Sequence, residues 1–315
     1  MNEQQIIDWL LEGDVSIQYQ VFRDLLDKQK PELQERIAHE GWGKRLLSER
    51  KANGHWGDRF YQPKWTSTHY TLLDLRNLNL HPQNDIVKAT IDQVLESGKA
   101  EDGGIRLGPS TSHHSDVCVN GMFLNYSSYF KTHEKKLHSI VDSILEEIMP
   151  DGGFNCRTIR SGATHSSLHS TISVLEGLGE FRNTGSAYRS EDIDRAIKTA
   201  EEFVLMHKLF ISDRTGEIIN KNFLKLTYPC RWKYDILRAL DYFQYVGHQW
   251  DDRMYKTIKV LVEKQKSTGT WTMQAAHPGQ VYFTMEKAGK PSRWNTLRVL
   301  RVLKQFKDEY SQQAA

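Results

Sequence analysis

With 315 residues, the chain is long enough to bury a large core as one big domain or two small ones. Its 42 Lys and Arg against 40 Asp and Glu leave a net charge of +2 with both signs interleaved, so no basic tract argues for nucleic acid. Three scattered cysteines exclude a disulfide framework, and no apolar run approaches the roughly 20 residues that cross a bilayer.

The opening M-N-E-Q-Q-I-I-D-W-L-L-E lacks the basic start and long apolar stretch of a signal peptide, so a reduced cytoplasmic protein is expected. A first helical pair is predicted over Val15–Leu26 and Pro31–Leu47. A glycine turn, N-G-H-W-G at 53–57, leads to an apolar helix over Trp65–Leu80. After Asn84, a plausible cap, Ile86, Val87, Ile91, Val94 and Leu95 form a one-faced helical stripe. The next turns are D-G-G-I at 102–105, before a helix over Asp116–Phe130, and D-G-G-F at 151–154, before Leu168–Phe181. A second striped helix follows Ser190, with Glu191 and Asp192 in its first turn. Looser turns, D-R-T-G-E at 213–217 and T-G-T-W at 268–271, precede Trp232–Tyr245 and Trp294–Phe306, with a striped helix at Met254–Val262 between.

The turns recur about every 50 residues, stretching to about 60 at one step, a period that signals stacked supersecondary repeats. One helix of each unit is striped and charged, which suits an outer layer. The other is apolar around its circumference with small residues interspersed, which suits an inner one. The predicted fold is all-α: a single domain over 1–315, an α/α toroid of about five or six helical hairpins. In a closed ring, residues of equal phase surround one central cavity.

Glycine turn, aromatic residue, inner helix and outer helix at this period resemble the squalene-cyclase and protein-prenyltransferase β-subunit superfamily. The strings Trp65–Leu73, Asn155–Arg157, Thr164–Ser167 and Arg293–Arg298 are similar to those of uncharacterised bacterial proteins of that superfamily. The D-x-D-D acid of class II terpene cyclases is missing, and Asp251-Asp252 reads as helix-start chemistry. The catalytic zinc of prenyltransferase β-subunits sits on an Asp-x-Cys pair and a histidine of the next inner helix. By that resemblance Asp116, Cys118 and His169 would hold zinc, against the plainer reading of a packed thiol beside hydrogen-bonded histidines. The α-subunit those enzymes need is not in this chain.

Arg106, Arg157, Arg160, Lys221 and Arg231 follow the turns and would line one mouth with the inner-helix N-termini. Such a rim would attract a phosphate, diphosphate or carboxylate. Trp65, Trp232 and Trp294 are placed as aromatic walls, with Arg293 beside the last. The plainer readings are surface charge and core packing. For acid and base work the candidates are Asp235, His165, Tyr234 and Glu286, with His277 in the same last loop as Glu286. Asp102 and Asp151, before Gly-Gly, read as turn residues. Cys156 reads as a nucleophile, a fourth metal ligand or an inert packed thiol.

The first expectation is a prenyltransferase- or terpenoid-cyclase-like enzyme acting on a small molecule, a prenyl diphosphate or similar anion, in the central cavity. The rivals are a carbohydrate-active α/α-barrel enzyme, hydrolase or lyase, and a non-catalytic binding protein. Neither nucleic acid nor an integral membrane segment is expected.

Overall fold

The computed structural model describes residues 1–108 and 114–314, without the side chains of Ile159, Arg160 and Ala314. In chain order the α-helices are α1 (Glu3–Leu11), α2 (Val15–Gln20), α3 (Pro31–Arg36), α4 (Gly41–Ser48), α5 (Thr68–Asn77), α6 (Asp85–Ser97), α7 (Val117–Tyr129) and α8 (His138–Glu146). They continue with α9 (Thr158–Ser161), α10 (Leu168–Arg182), α11 (Ser190–Met206), α12 (Ile236–Tyr245), α13 (Tyr255–Glu263) and α14 (Arg293–Ala314). The described residues hold only isolated β-bridges, so the fold class is all-α, as the α/α-toroid expectation requires. No helix among them is long and apolar enough to cross a membrane.

The chain packs as two compact units. One comprises Met1–Lys44, Leu205–Pro278 and Phe283–Ala315; the other comprises Arg45–Val204 with Gly279–Tyr282.

In the second unit, successive inner helices α5, α7 and α10 pack against one another, and each returns through an outer helix. The turns that introduce α7 and α10 are built alike. Asp102 accepts from the backbone N–H of Ser115 at 2.6 Å, and Asp151 from that of Ser166 at 2.8 Å, each also taking the serine hydroxyl. Both are therefore turn residues, as the sequence predicts. Gly103 and Gly152 have φ of +83° and +88°, and a Cβ on either would lie 2.9 Å from a backbone oxygen of the outer helix, Ser139 or Thr199. No other residue fits at low cost.

An inner-helix side chain closes each turn by accepting the N–H of the residue after it. Thr68 takes Trp56 at 3.0 Å, Asn120 takes Ile105 at 2.8 Å, and Thr171 takes Phe154 at 3.0 Å. In the first unit Thr296 does the same for Trp271 at 3.1 Å. Trp56 and Trp271, both fully buried, donate their indole N–H to the carbonyl of Leu46 and of Leu261, in the preceding outer helix. These contacts pack each turn onto the helix of the repeat before it.

Helices α7 and α10 approach closely at two glycines. A Cβ on Gly121 would sit 2.5 Å from the Ser173 carbonyl, and one on Gly177 would sit 2.2 Å from the Gly121 carbonyl. Between α5 and α7 lies an aromatic box of Phe60, Tyr61, His69, Tyr70, Phe123 and Tyr126, with His69 Nδ1 3.2 Å from the Tyr126 hydroxyl. Burial pushes the His69 imidazole down to about 3, so it is neutral throughout the physiological range.

In the first unit α14 lies between α12 and the N-terminal helices. Arg298 and Arg301 of α14 both bind Asp241 of α12, and Arg301 also reaches Asp24 at 3.0 Å. Lys304 pairs with Asp27 at 2.6 Å. The last helix therefore meets the segment that follows α2.

Candidate functional site

The loop before α12 and the loop before α14 are held together in the first unit by a reciprocal clamp. Gln274 donates its N–H to the Leu226 carbonyl at 2.9 Å and accepts the Leu226 N–H through its side chain at 2.9 Å. Asn295 of α14 adds a bond to the same Leu226 carbonyl at 3.3 Å. The clamp sets His277 against the segment Cys230–Lys233.

His277 is half-buried, and its ring hydrogen-bonds to the backbone of Cys230. Burial first, then the cationic Lys233 and Arg231, push its imidazole down to about 4, against the opposing pull of that backbone bond. The group is a neutral base flanked by two positive charges. Arg231 is buried in a left-handed conformation, φ +59°, an uncommon state for a branched-out side chain that marks a specialised loop. Trp232 stays partly open to solvent, with the Lys233 ammonium 5.7 Å from its ring centroid.

Beneath this surface lies a polar floor. Asp235 caps α12, accepting the Arg238 N–H at 2.8 Å, and also receives Thr227 Oγ1 at 3.3 Å and the Cys230 thiol at 3.6 Å. Arg298 donates to Cys230 Sγ at 3.5 Å. Burial raises the Asp235 carboxyl, with Arg298 and Arg238 opposing. The remaining candidates of this unit have partners within the fold. The Tyr234 hydroxyl is buried and donates to the Leu209 carbonyl. Glu286 caps α14, accepting the N–H of Arg293 at 2.7 Å and of Trp294 at 3.2 Å and the Ser292 hydroxyl, and burial raises its carboxyl. Arg293 donates to the Trp9 carbonyl at 2.8 Å and lies over that indole. Trp294 is buried between Trp42 and Tyr228.

Candidates in the second unit sit elsewhere. Trp65 is buried edge-on to Tyr70, while Arg157 and His165 are exposed. The side chain of Arg160 lies outside the described residues. Among the described residues no group of three or more His, Cys, Asp and Glu stands close enough to hold a metal ion, and Asp116, Cys118 and His169, the ligands that the resemblance implied, are not brought together in that way. The reason is local. Cys118 hydrogen-bonds to Cys156, and Cys156 is anchored through its N–H to Ser170 Oγ at 3.1 Å. His169, one residue earlier on α10, points ~100° around the helix from Ser170.

Sequence reasoning passed over Lys233 and gave His277 only a place in the last loop. Lys233 lies between the candidates Trp232 and Tyr234 without a motif of its own, His277 precedes Pro278, and only the clamp between two loops 40-odd residues apart joins them.

No family model and no curated protein matches the chain. Among solved structures it is similar to a polysaccharide lyase at 14% identity, covering 99% of both chains with a TM-score of 0.49. The comparison returns a carbohydrate enzyme where the squalene-cyclase and prenyltransferase resemblance called for one of those, and the prenyl-transfer and terpenoid-cyclase reading is withdrawn. A backbone likeness at this level carries no chemistry with it.

Proposed function

We propose that the protein is a carbohydrate-active enzyme that cleaves an acidic polysaccharide by β-elimination. The observation that carries this reading is the neutral His277 between Arg231 and Lys233. Elimination from a uronate chain requires a base for the proton on the carbon next to the carboxylate. It also requires positive charge to offset the doubly negative intermediate that forms as that proton leaves. His277 supplies the base, Arg231 and Lys233 supply the charge, and Trp232 offers a ring face for a sugar to stack on. The C–H bond breaks, its electron pair forms a double bond, and the glycosidic C–O bond breaks on the other side. The leaving oxygen is protonated by the imidazolium or by water.

Hydrolysis by two carboxylates fits less well. Asp235 and Glu286 both spend their oxygens on helix N-termini and neighbouring hydroxyls.

Purified protein incubated with uronate-containing polysaccharides is expected to yield products with the ultraviolet absorbance of an unsaturated uronate, and none from neutral glycans. His277→Gln should lower kcat by ~10²–10⁴, the usual contribution of a general base. Cleavage without the unsaturated product, or wild-type activity in His277→Gln, would overturn the proposal.

A further inference from the structure

Two of the three free cysteines meet in the second unit. The close approach of α7 and α10 at Gly121 and Gly177 brings the first turn of α7, with Cys118, beside the first turn of α10, with Ser170. The chain leaving the Asp151-Gly152-Gly153 turn is then fixed to Ser170 by the Cys156 N–H at 3.1 Å. Cys118 and Cys156 are left in side-chain contact, the first buried and the second partly open to solvent beside Arg157. Cys230 belongs to the other unit and has its own partners, Asp235 and Arg298.

We infer that Cys156 and Cys118 form a peroxide-sensitive thiol pair, in which the accessible Cys156 sulfur is oxidised first and the buried Cys118 sulfur resolves it to a disulfide. The site is independent of the polysaccharide reading. The oxidant is a hydroperoxide. The Cys156 thiolate attacks its terminal oxygen, the O–O bond breaks, and a sulfenic acid forms with loss of hydroxide or alkoxide. Cys118 then displaces the sulfenic oxygen as water, giving the S–S bond; the two thiols are oxidised by two electrons and the peroxide is reduced by two. The contact also divides the pair chemically. The hydrogen bond from Cys118, joined by Ser170 and Arg157, holds the Cys156 thiol below its usual range, while that contact and burial hold Cys118 above it. An attacking thiol open to solvent and a protected resolving thiol behind it is the arrangement that stops oxidation at a reversible stage.

The test uses the full chain with a modest excess of hydrogen peroxide. Titratable thiols, counted after unfolding, should fall from three to one and return to three with a thiol reductant. A non-reducing peptide map should show the Cys118 and Cys156 peptides joined, and intact mass should fall by two hydrogens. Cys118→Ser should halt the reaction at a sulfenic acid on Cys156, captured by a 1,3-dicarbonyl reagent, and Cys230→Ser should still form the Cys118–Cys156 bridge, its titratable thiols falling from two to none. Three thiols surviving in the wild type would overturn the inference without bearing on glycan cleavage. So would a bridge that includes Cys230, or direct passage to sulfinic acid with no bridge. The wild-type peptide map decides the matter even where a cysteine variant fails to fold.

Discussion

At the residue scale, His277 and Asp235 make different predictions. A base works only when unprotonated, so with His277 held at about 4 the acid side of the pH–rate profile is expected near there, well below the ordinary histidine value of 6.5. Lys233 is one of the groups that lower it, so Lys233→Ala should shift that limb to higher pH as well as weaken binding of acidic glycans. The same depression has a stability side. Between about 6.5 and about 4 the unfolded chain takes up a proton that the folded site refuses, so His277 costs stability as pH falls through that window. His69 does the same down to about 3. Asp235 is different. Its geometry is that of a helix cap, so Asp235→Ala should lower stability by ~1–2 kcal/mol or more in a denaturant melt. Asp235→Asn keeps an acceptor for the Arg238 N–H and should recover much of that loss, with glycan cleavage largely preserved. Equal loss of turnover in both variants, at unchanged stability, would restore Asp235 to an acid–base role.

At the element scale, the contact between α7 and α10 depends on two glycines. Gly121→Ala would press a methyl group to 2.5 Å from the Ser173 carbonyl, backbone that has no rotamer to yield. The expected cost is ~1–3 kcal/mol, read as a lowered urea midpoint with an unchanged slope. An unchanged midpoint would mean that the two helices separate freely. This contact was not legible in the sequence, where Gly121 looks like any small residue of a crowded helix. The helices themselves were. The predicted inner segments contain α5, α7 and α12, α10 runs one residue past its predicted end, α14 begins one residue before its predicted start and continues beyond Phe306 to Ala314, and the Asn84 cap accepts the Val87 N–H at 3.2 Å. What escaped prediction has physical causes. α1 begins with a reciprocal cap between Asn2 and Gln5, a signal present in the sequence but overshadowed by its amide-rich composition. The predicted helix at Pro31–Leu47 breaks into α3 and α4 because Asp14, far away in sequence, takes the Trp42 N–H at 2.7 Å. The long repeat step near 213–217 is a bridged excursion, Ile211 to Ile218, whose glycine packs against nothing. The candidate site was legible only in part. Arg231 and Trp232 stand out by type, whereas His277 acquires its meaning from residues that a distant loop places beside it.

At the scale of the whole molecule, the chain ends are joined by charge as well as by packing. Asp24 is a buried carboxylate: burial alone would raise it, yet Arg23 and Arg301 hold it below the ordinary value. Asp241, fully enclosed, is likewise held down against burial by Arg301 and Arg298. Both stabilise the fold at neutral pH and lose that contribution as pH falls below the usual carboxylate range toward their lowered values. Removing residues 1–47 would strip α14 of Asp24, Asp27 and the Trp42 ring stacked 6.1 Å from Trp294. Arg301 would keep Asp241, but the Trp9 carbonyl that fixes Arg293 and the apolar surface under α2 would be gone. Apolar surface of that extent, once exposed to water, favours association over a stable remainder. The truncated chain is therefore expected to be insoluble or to lack a cooperative thermal transition by circular dichroism, whereas the full chain melts once as a mainly helical protein. A soluble truncated chain with a sharp melt would show that the N-terminal helices are an appendage, and that α12 and α13 suffice to hold α14.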